Sequence, residues 1–165
     1  MAPQRLARRA GKNPYPCLMF ANPRLAFEIR AATESDIEGV LRLWEVSGTH
    51  PTITDDMAGV ARLLADAPGS LLVAVDGGLV VGAVIAAWNG WRGGIYRIAV
   101  APSHRRIGLA RALLTNGTER LSRLGARRID AFVVRDDLFA RAFWDALSPE
   151  WVPDPLEKLR YVHMT

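Results

Sequence analysis

The stretch PSHRRIGLARALL, residues 102–114, sets two adjacent arginines before a lone glycine and then begins an apolar helix. A surface helix ordinarily opens on Ser, Thr, Asp or Asn, with acids in its first turn. Here the start is cationic instead. The free backbone N–H groups and the positive end of the helix dipole face no anion supplied by the chain. That suits an anion arriving from outside, above all a phosphate held by backbone N–H groups. Gly108 fits the same chemistry, because a side chain there would hold a pyrophosphate away from the amides. The segment is not a phosphate-binding Walker loop, since no Gly-Lys-Ser/Thr follows, nor the three-glycine dinucleotide fingerprint. On these residues alone, an ordinary strand-to-helix connection with exposed arginines is an equal alternative.

Other reactive side chains are sparse. His50, His104 and His163 are scattered without metal-ligand spacing, so no metal site is expected. The single cysteine, Cys17, has no intrachain disulfide partner and no cysteine metal site, which fits a reducing, cytoplasmic setting. Trp88 and Trp91 bracket an Asn-Gly turn, where they would line a pocket, pack a dimer seam or simply fill the rim. Charge is uneven. Residues 1–26 carry four arginines, one lysine and no acid, whereas the remainder holds 16 basic and 17 acidic residues. The basic balance belongs to the extension, and the domain lacks the basic excess of a nucleic-acid binder. No apolar run approaches the roughly 18 residues that span a bilayer, and Pro14, Pro16, Asn22 and Pro23 break any signal-peptide stretch.

The elements that must position the motif follow from periodicity. Residues 1–26 read as a disordered extension, and 27–165 as one α/β domain. FEIRAAT alternates as a strand. Thr33 with Asp36 opens a helix in capping-box fashion, and Ile37, Val40, Leu41 and Trp44 recur at helical spacing. A second helix is expected from Thr54 to Ala67, with Asp55 and Asp56 in its first turn. LLVAV, Asp76-Gly77-Gly78 and LVVGAVIAAW form a hairpin, and GIYRIAV is a further strand leading into the motif. The motif's helix runs to about Leu124 and ends at Gly125. RIDAFVV is a strand, DLFARAFWDAL a helix and KLRYVHM a last strand. The order is β-α-α-β-β-β-α-β-α-β.

With this element order, the chain resembles the GNAT superfamily of N-acetyltransferases, whose signature Arg/Gln-x-x-Gly-x-Gly/Ala is filled by Arg105, Gly108 and Ala110. The resemblance covers about 27–165. It implies an α/β fold with a mixed central sheet flanked by about four helices, and acetyl-coenzyme A as cosubstrate without a metal. It further implies that Ile98, Ala99 and Val100 bond the pantetheine arm through their backbone. Arg106, Ile107, Gly108, Leu109, Ala110 and Arg111 would form the pyrophosphate loop, and Arg105 of the signature counts with them as cofactor-binding. Asp137 falls where many members carry a cofactor-contacting Asn. The partners implied are acetyl-coenzyme A and an amine acceptor, with no membrane or nucleic acid. Monomer and homodimer both remain open.

The chain departs from the family where protons move. Phe132 occupies the position of the usual Glu base and Trp144 that of the usual Tyr acid. Neither titrates usefully. Asp130, two residues before Phe132, and Tyr96, expected on one strand face with Ile98 and Val100, are the substitute catalytic candidates. Each also reads as a structural residue. The expected activity is direct acetyl transfer to an amine in a ternary complex, with no acyl-enzyme on Cys17. The alternative is a binding module that holds acyl-coenzyme A without turnover.

Overall fold

A computed structural model describes residues 27–154. The expected basic extension, Cys17 and the expected strand KLRYVHM lie outside the described residues. The chain divides into two compact units between Asp130 and Ala131.

The first unit is built on a mixed five-stranded sheet in the order β1 to β5. Its strands are β1 (Glu28–Ala31), β2 (Leu71–Asp76), β3 (Leu79–Trp88), β4 (Gly93–Val100) and β5 (Ile129–Ala131). β1 through β4 pair antiparallel. The Gly77-Gly78 turn takes positive φ at both residues, which permits the two-residue hairpin between β2 and β3. β5 meets β4 at its start, where Gly93 N–H donates to the Arg128 carbonyl (3.0 Å).

Strand alternation divides the apolar residues between two faces. Leu71, Val73, Ala83 and Ala99 pack with Ile37, Val40, Leu43 and Trp44 of α1 (Ile37–Val46) and Val60 of α2 (Met57–Asp66). On the other face, α3 (Leu109–Arg123) approaches closely because the sheet and helix are small where they meet. A Cβ at Gly82 would lie 2.8 Å from Leu113, and one at Gly117 would lie 3.3 Å from Ala86. Arg120 of α3, itself buried, donates to the carbonyls of Ala86 (3.0 Å) and Pro68 (3.0 Å). Sheet, helix and the loop before β2 are thereby cross-linked.

Helix starts are set by carboxylates. Asp36 accepts from Thr33 N–H (2.7 Å), beginning a short 3₁₀ turn, Glu34–Asp36, that leads into α1. It also takes both guanidinium nitrogens of Arg30 (2.7 and 2.9 Å). These contacts, Arg30 first, hold its carboxyl down at about 2. α2 starts three residues later than expected: Asp56 caps it through Gly59 N–H (2.6 Å), and Thr54 and Asp55 precede the helix.

In the second unit, α4 (Leu138–Asp145) is capped by Asp137, whose carboxylate accepts from Ala140 N–H (2.9 Å). Trp144 packs edge-on between Phe143 and Trp151. The strand expected over RIDAFVV stops at Ala131, so 132–134 are not strand.

Candidate functional site

Where β4 ends, a short 3₁₀ turn, Pro102–His104, leads through Arg105, Arg106 and Ile107 to Gly108 at the start of α3. Among the described α-helices, α3 is the one with neither a carboxylate at its N-cap nor an acid in its first turn. Arg106 and Gly108 both adopt positive φ, 64° and 86°. Glycine takes this conformation freely, whereas an arginine does so at some cost. A Cβ on Gly108 would meet no atom of the protein within 4 Å. Its glycine character therefore serves the backbone conformation and the open space in front of the helix, not internal packing. Leu109 is buried in the core, which fixes the first turn, while Arg106, Ile107, Gly108 and Arg111 stay exposed around it. An exposed, uncapped helix start with space for a ligand fits a pyrophosphate.

Arg105 is used differently from the rest of its motif. Its guanidinium donates to the Val100 carbonyl (3.3 Å) and to the Ser47 carbonyl (2.9 Å), tying the end of β4 to the end of α1. His104 is likewise engaged, between Ser103 Oγ (2.8 Å) and the Asp76 carboxylate (2.9 Å).

β4 itself is irregular. Ile85 pairs with Tyr96 but Ala83 pairs with Ala99, so two residues, Arg97 and Ile98, oppose Val84 alone. Arg97 takes φ 53° to make this bulge. One extra residue reverses the alternation that follows it. Tyr96 therefore lies on the same sheet face as Ala99, and the expected shared face with Ile98 and Val100 does not form. The Tyr96 ring also turns back over Gly94, where a Cβ would sit 2.8 Å from its hydroxyl oxygen. That direction leads away from Ile98.

The second catalytic candidate is held elsewhere. Asp130 pairs with Arg128 (2.8 Å) and, more loosely, with Arg92 (3.9 Å), beside the Gly93 end of β4. Ile98 lies five residues further along that strand, about 16 Å at ordinary strand rise. The alternation that linked Asp130 to Phe132 does not apply, because β5 stops between them. Phe132 is 62% exposed. Trp91 is also exposed and carries Arg92 over its ring (4.0 Å).

What the sequence reading missed is Arg97. Its side chain is 16% exposed and forms an ion pair with Asp55, itself 11% exposed. The guanidinium donates to the His50 carbonyl (2.7 Å) and lies over the Trp44 ring (5.1 Å). Burial lowers its pKa from the ordinary value. Trp44 and Asp55 in turn line a cavity of about 550 Å³ with Glu38, Leu41, Glu45 and Pro51. The cavity lies between α1 and the loop 47–56, and its wall mixes carboxylates, the Arg42 guanidinium and apolar surface.

The profile of the Acetyltransferase (GNAT) family matches residues 36–147. The chain belongs to this family. It is an acetyltransferase. An acetyltransferase of Pectobacterium atrosepticum is 31% identical over 125 residues, covering 76% of this chain and 89% of the relative. Among solved structures, Ard1 from Thermoplasma volcanium superposes with a TM-score of 0.67 at 25% identity, covering 75% of this chain and 82% of that one. A diaminobutyrate acetyltransferase from Paenibacillus lautus, solved with L-2,4-diaminobutyric acid and coenzyme A, shares the fold. Its TM-score is 0.61 at 24% identity, with 73% of each chain covered. Relatives in this family bind coenzyme A, and the family fold implies acetyl-coenzyme A and an acceptor as partners. Among the described residues no helix is long and apolar enough to cross a membrane.

Proposed function

We propose that this acetyltransferase transfers acetyl from acetyl-coenzyme A directly to an amine nitrogen, with both substrates bound together. The observation that carries the reading is the uncapped, acid-free start of α3, where the other described α-helices start on Asp36, Asp56 and Asp137. Backbone N–H groups of Gly108, Leu109 and Ala110, with Arg106 and Arg111 beside them, would hold the pyrophosphate. Ile98, Ala99 and Val100 would hold the pantetheine arm through their backbone, since β5 joins β4 only near Gly93. Arg105 supports this loop from within the fold rather than reaching the phosphates. Acetyl-coenzyme A supplies the activated acetyl as a thioester; the new amide bond replaces the carbon–sulfur bond, and the amine loses a proton.

Among the described residues, none of the catalytic candidates read from the sequence is an evident proton acceptor for that step. Phe132 and Trp144 do not titrate usefully, Asp130 is engaged by arginines, and Tyr96 turns toward Gly94. The rate then comes from positioning and from backbone donors on the carbonyl, with water taking the proton. A thiol near pKa 8.5, by analogy with cysteine, leaves without a dedicated acid. The diaminobutyrate enzyme of the same fold acts on an amine, which supports a nitrogen acceptor.

The test is a thermal-shift titration followed by thiol release. Acetyl-coenzyme A and coenzyme A raise the melting temperature; at 100 times the dissociation constant the stabilisation is about 2.7 kcal/mol. ATP and NAD do not. Thiol release depends on an added primary amine and rises with pH between about 6 and 9 as the amine loses its proton. Equal shifts from all four nucleotides, or release indifferent to amine, would refute the reading.

A further inference from the structure

Two arginines on either side of the last β4 residues hold the two ends of one loop. Arg105 takes the Ser47 carbonyl, where α1 ends, across 58 residues of sequence. Arg97 takes the His50 carbonyl, across 47 residues, and the Asp55 carboxylate just before α2. Asp55 is itself fixed by Thr52 N–H (2.6 Å). Between these anchors the loop 47–56 contributes Thr49, Pro51 and Asp55 to the cavity, and α1 contributes Trp44 and Glu45. Arg97 is thus bonded to the loop and stacked on α1 while sitting immediately before Ile98.

The backbone adds an independent indication. Arg97 is one of two non-glycine residues with positive φ among those described, and the conformation has an energetic cost. Such strain persists where surrounding contacts over-determine it, and it clusters at functional sites. The bulge is what turns two consecutive side chains, Tyr96 and Arg97, toward α1. A regular strand would send Arg97 to the α3 face. Burying a guanidinium with a carboxylate is poor value for stability compared with apolar packing, but it fixes geometry.

We propose that Arg97 is a positioning residue for the transfer reaction: it holds the loop 47–56 against the β4 bulge and so sets the wall of the cavity that receives the acceptor amine. This rests on reading the cavity as the acceptor side of the transferase proposed above. In that wall Glu38 is paired with Arg42, another lining residue (2.8 Å); Glu45 suits a cationic amine, and Trp44, Leu41 and Pro51 suit its hydrocarbon portion.

The experiment compares the full chain with Arg97→Met, Arg97→Lys and Asp55→Asn. Hydrogen exchange reports the loop, calorimetric titration with coenzyme A reports the donor site, and steady-state kinetics with lysine, spermidine and a tripeptide report the acceptor. In Arg97→Met, exchange quickens at 47–56 and not in α3, and KM for the best of these amines rises about tenfold or more. Coenzyme A affinity stays within about twofold. Arg97→Lys recovers part of the KM, and Asp55→Asn combined with Arg97→Met adds less than twofold, because the pair acts as a unit. Unchanged exchange at 47–56, or an unchanged amine KM, overturns the proposal. So does a parallel loss of coenzyme A affinity and α3 protection, which marks a merely structural role. If Arg97→Met does not fold, Arg97→Lys and Asp55→Asn carry the same comparison. If the unaltered chain acetylates none of the amines, the transferase reading fails separately, and the exchange data alone decide whether Arg97 holds the loop.

Discussion

Gly108 and Gly125 stand at opposite ends of α3, and together they separate backbone strain from ligand obstruction. Both adopt left-handed conformations, φ 86° and 94°, and at neither would a Cβ meet a protein atom within 4 Å. Alanine at either position therefore incurs the same kind of cost. A left-handed alanine is unfavourable by roughly 1–2 kcal/mol, and the stiffer unfolded chain returns roughly half a kcal/mol. The net is about 1 kcal/mol, or a fall of some 2–4 °C in Tm for a chain of this size. Only Gly108 faces the proposed pyrophosphate. A methyl group in front of the α3 amides holds the phosphates off, so the Kd for coenzyme A rises tenfold or more, equivalent to about 1.4 kcal/mol. Gly108→Ala and Gly125→Ala are accordingly expected to melt alike and bind differently. Differential scanning calorimetry measures the first property, and isothermal titration with coenzyme A measures the second. Equal coenzyme A affinity in the two folded variants would refute the assignment of the loop. A much larger stability loss at Gly108 would show that the space in front of it is not open.

Two further predictions concern stability. Asp36 has its carboxyl held at about 2 by Arg30 and Thr33, so its contribution is complete above about pH 4 and is lost as pH falls through about 2. It amounts to roughly 2 kcal/mol. Asp36→Asn should be less stable at pH 7 and should show a shallower loss of stability between about pH 4 and 2, as read by urea denaturation at each pH; an unaltered acid limb would contradict the assignment. Ser70 is fully buried and its hydroxyl has no hydrogen-bond partner among the described residues, while its carbonyl accepts from Ala86 N–H (2.7 Å). Ser70→Ala keeps the backbone bond and removes the unsatisfied group, so Tm should stay level or rise, by up to about 1 kcal/mol in stability. A clear fall would mean that the hydroxyl is bonded in solution.

Local patterns carried much of the fold into view from the sequence. Period-two alternation marked β1, helical spacing marked α1, and β-branched content with Asp76-Gly77-Gly78 marked the β2–β3 hairpin, because each depends on residues within a few positions of one another. The anion-ready start of α3 was legible for the same reason. A missing cap is a property of four or five consecutive residues. Boundaries were less secure where a side chain had a distant use: Asp55 looked like a first-turn acid of α2, yet it serves Arg97 and leaves the cap to Asp56. The β4 bulge had no local signature at all. It exists only in the pairing of β4 with β3, and one extra residue there moved Tyr96 off the face shared with Ile98. The roles of the two arginines were equally hidden. Arg105 was legible only as part of the signature, and Arg97 only as one letter of the strand GIYRIAV, whereas their partners Ser47 and His50 lie 58 and 47 residues away in sequence. The sequence by itself determined which segments become helix or strand and where an external anion is wanted. Tertiary structure decided which side chains meet there, because register and long-range pairing belong to no single segment.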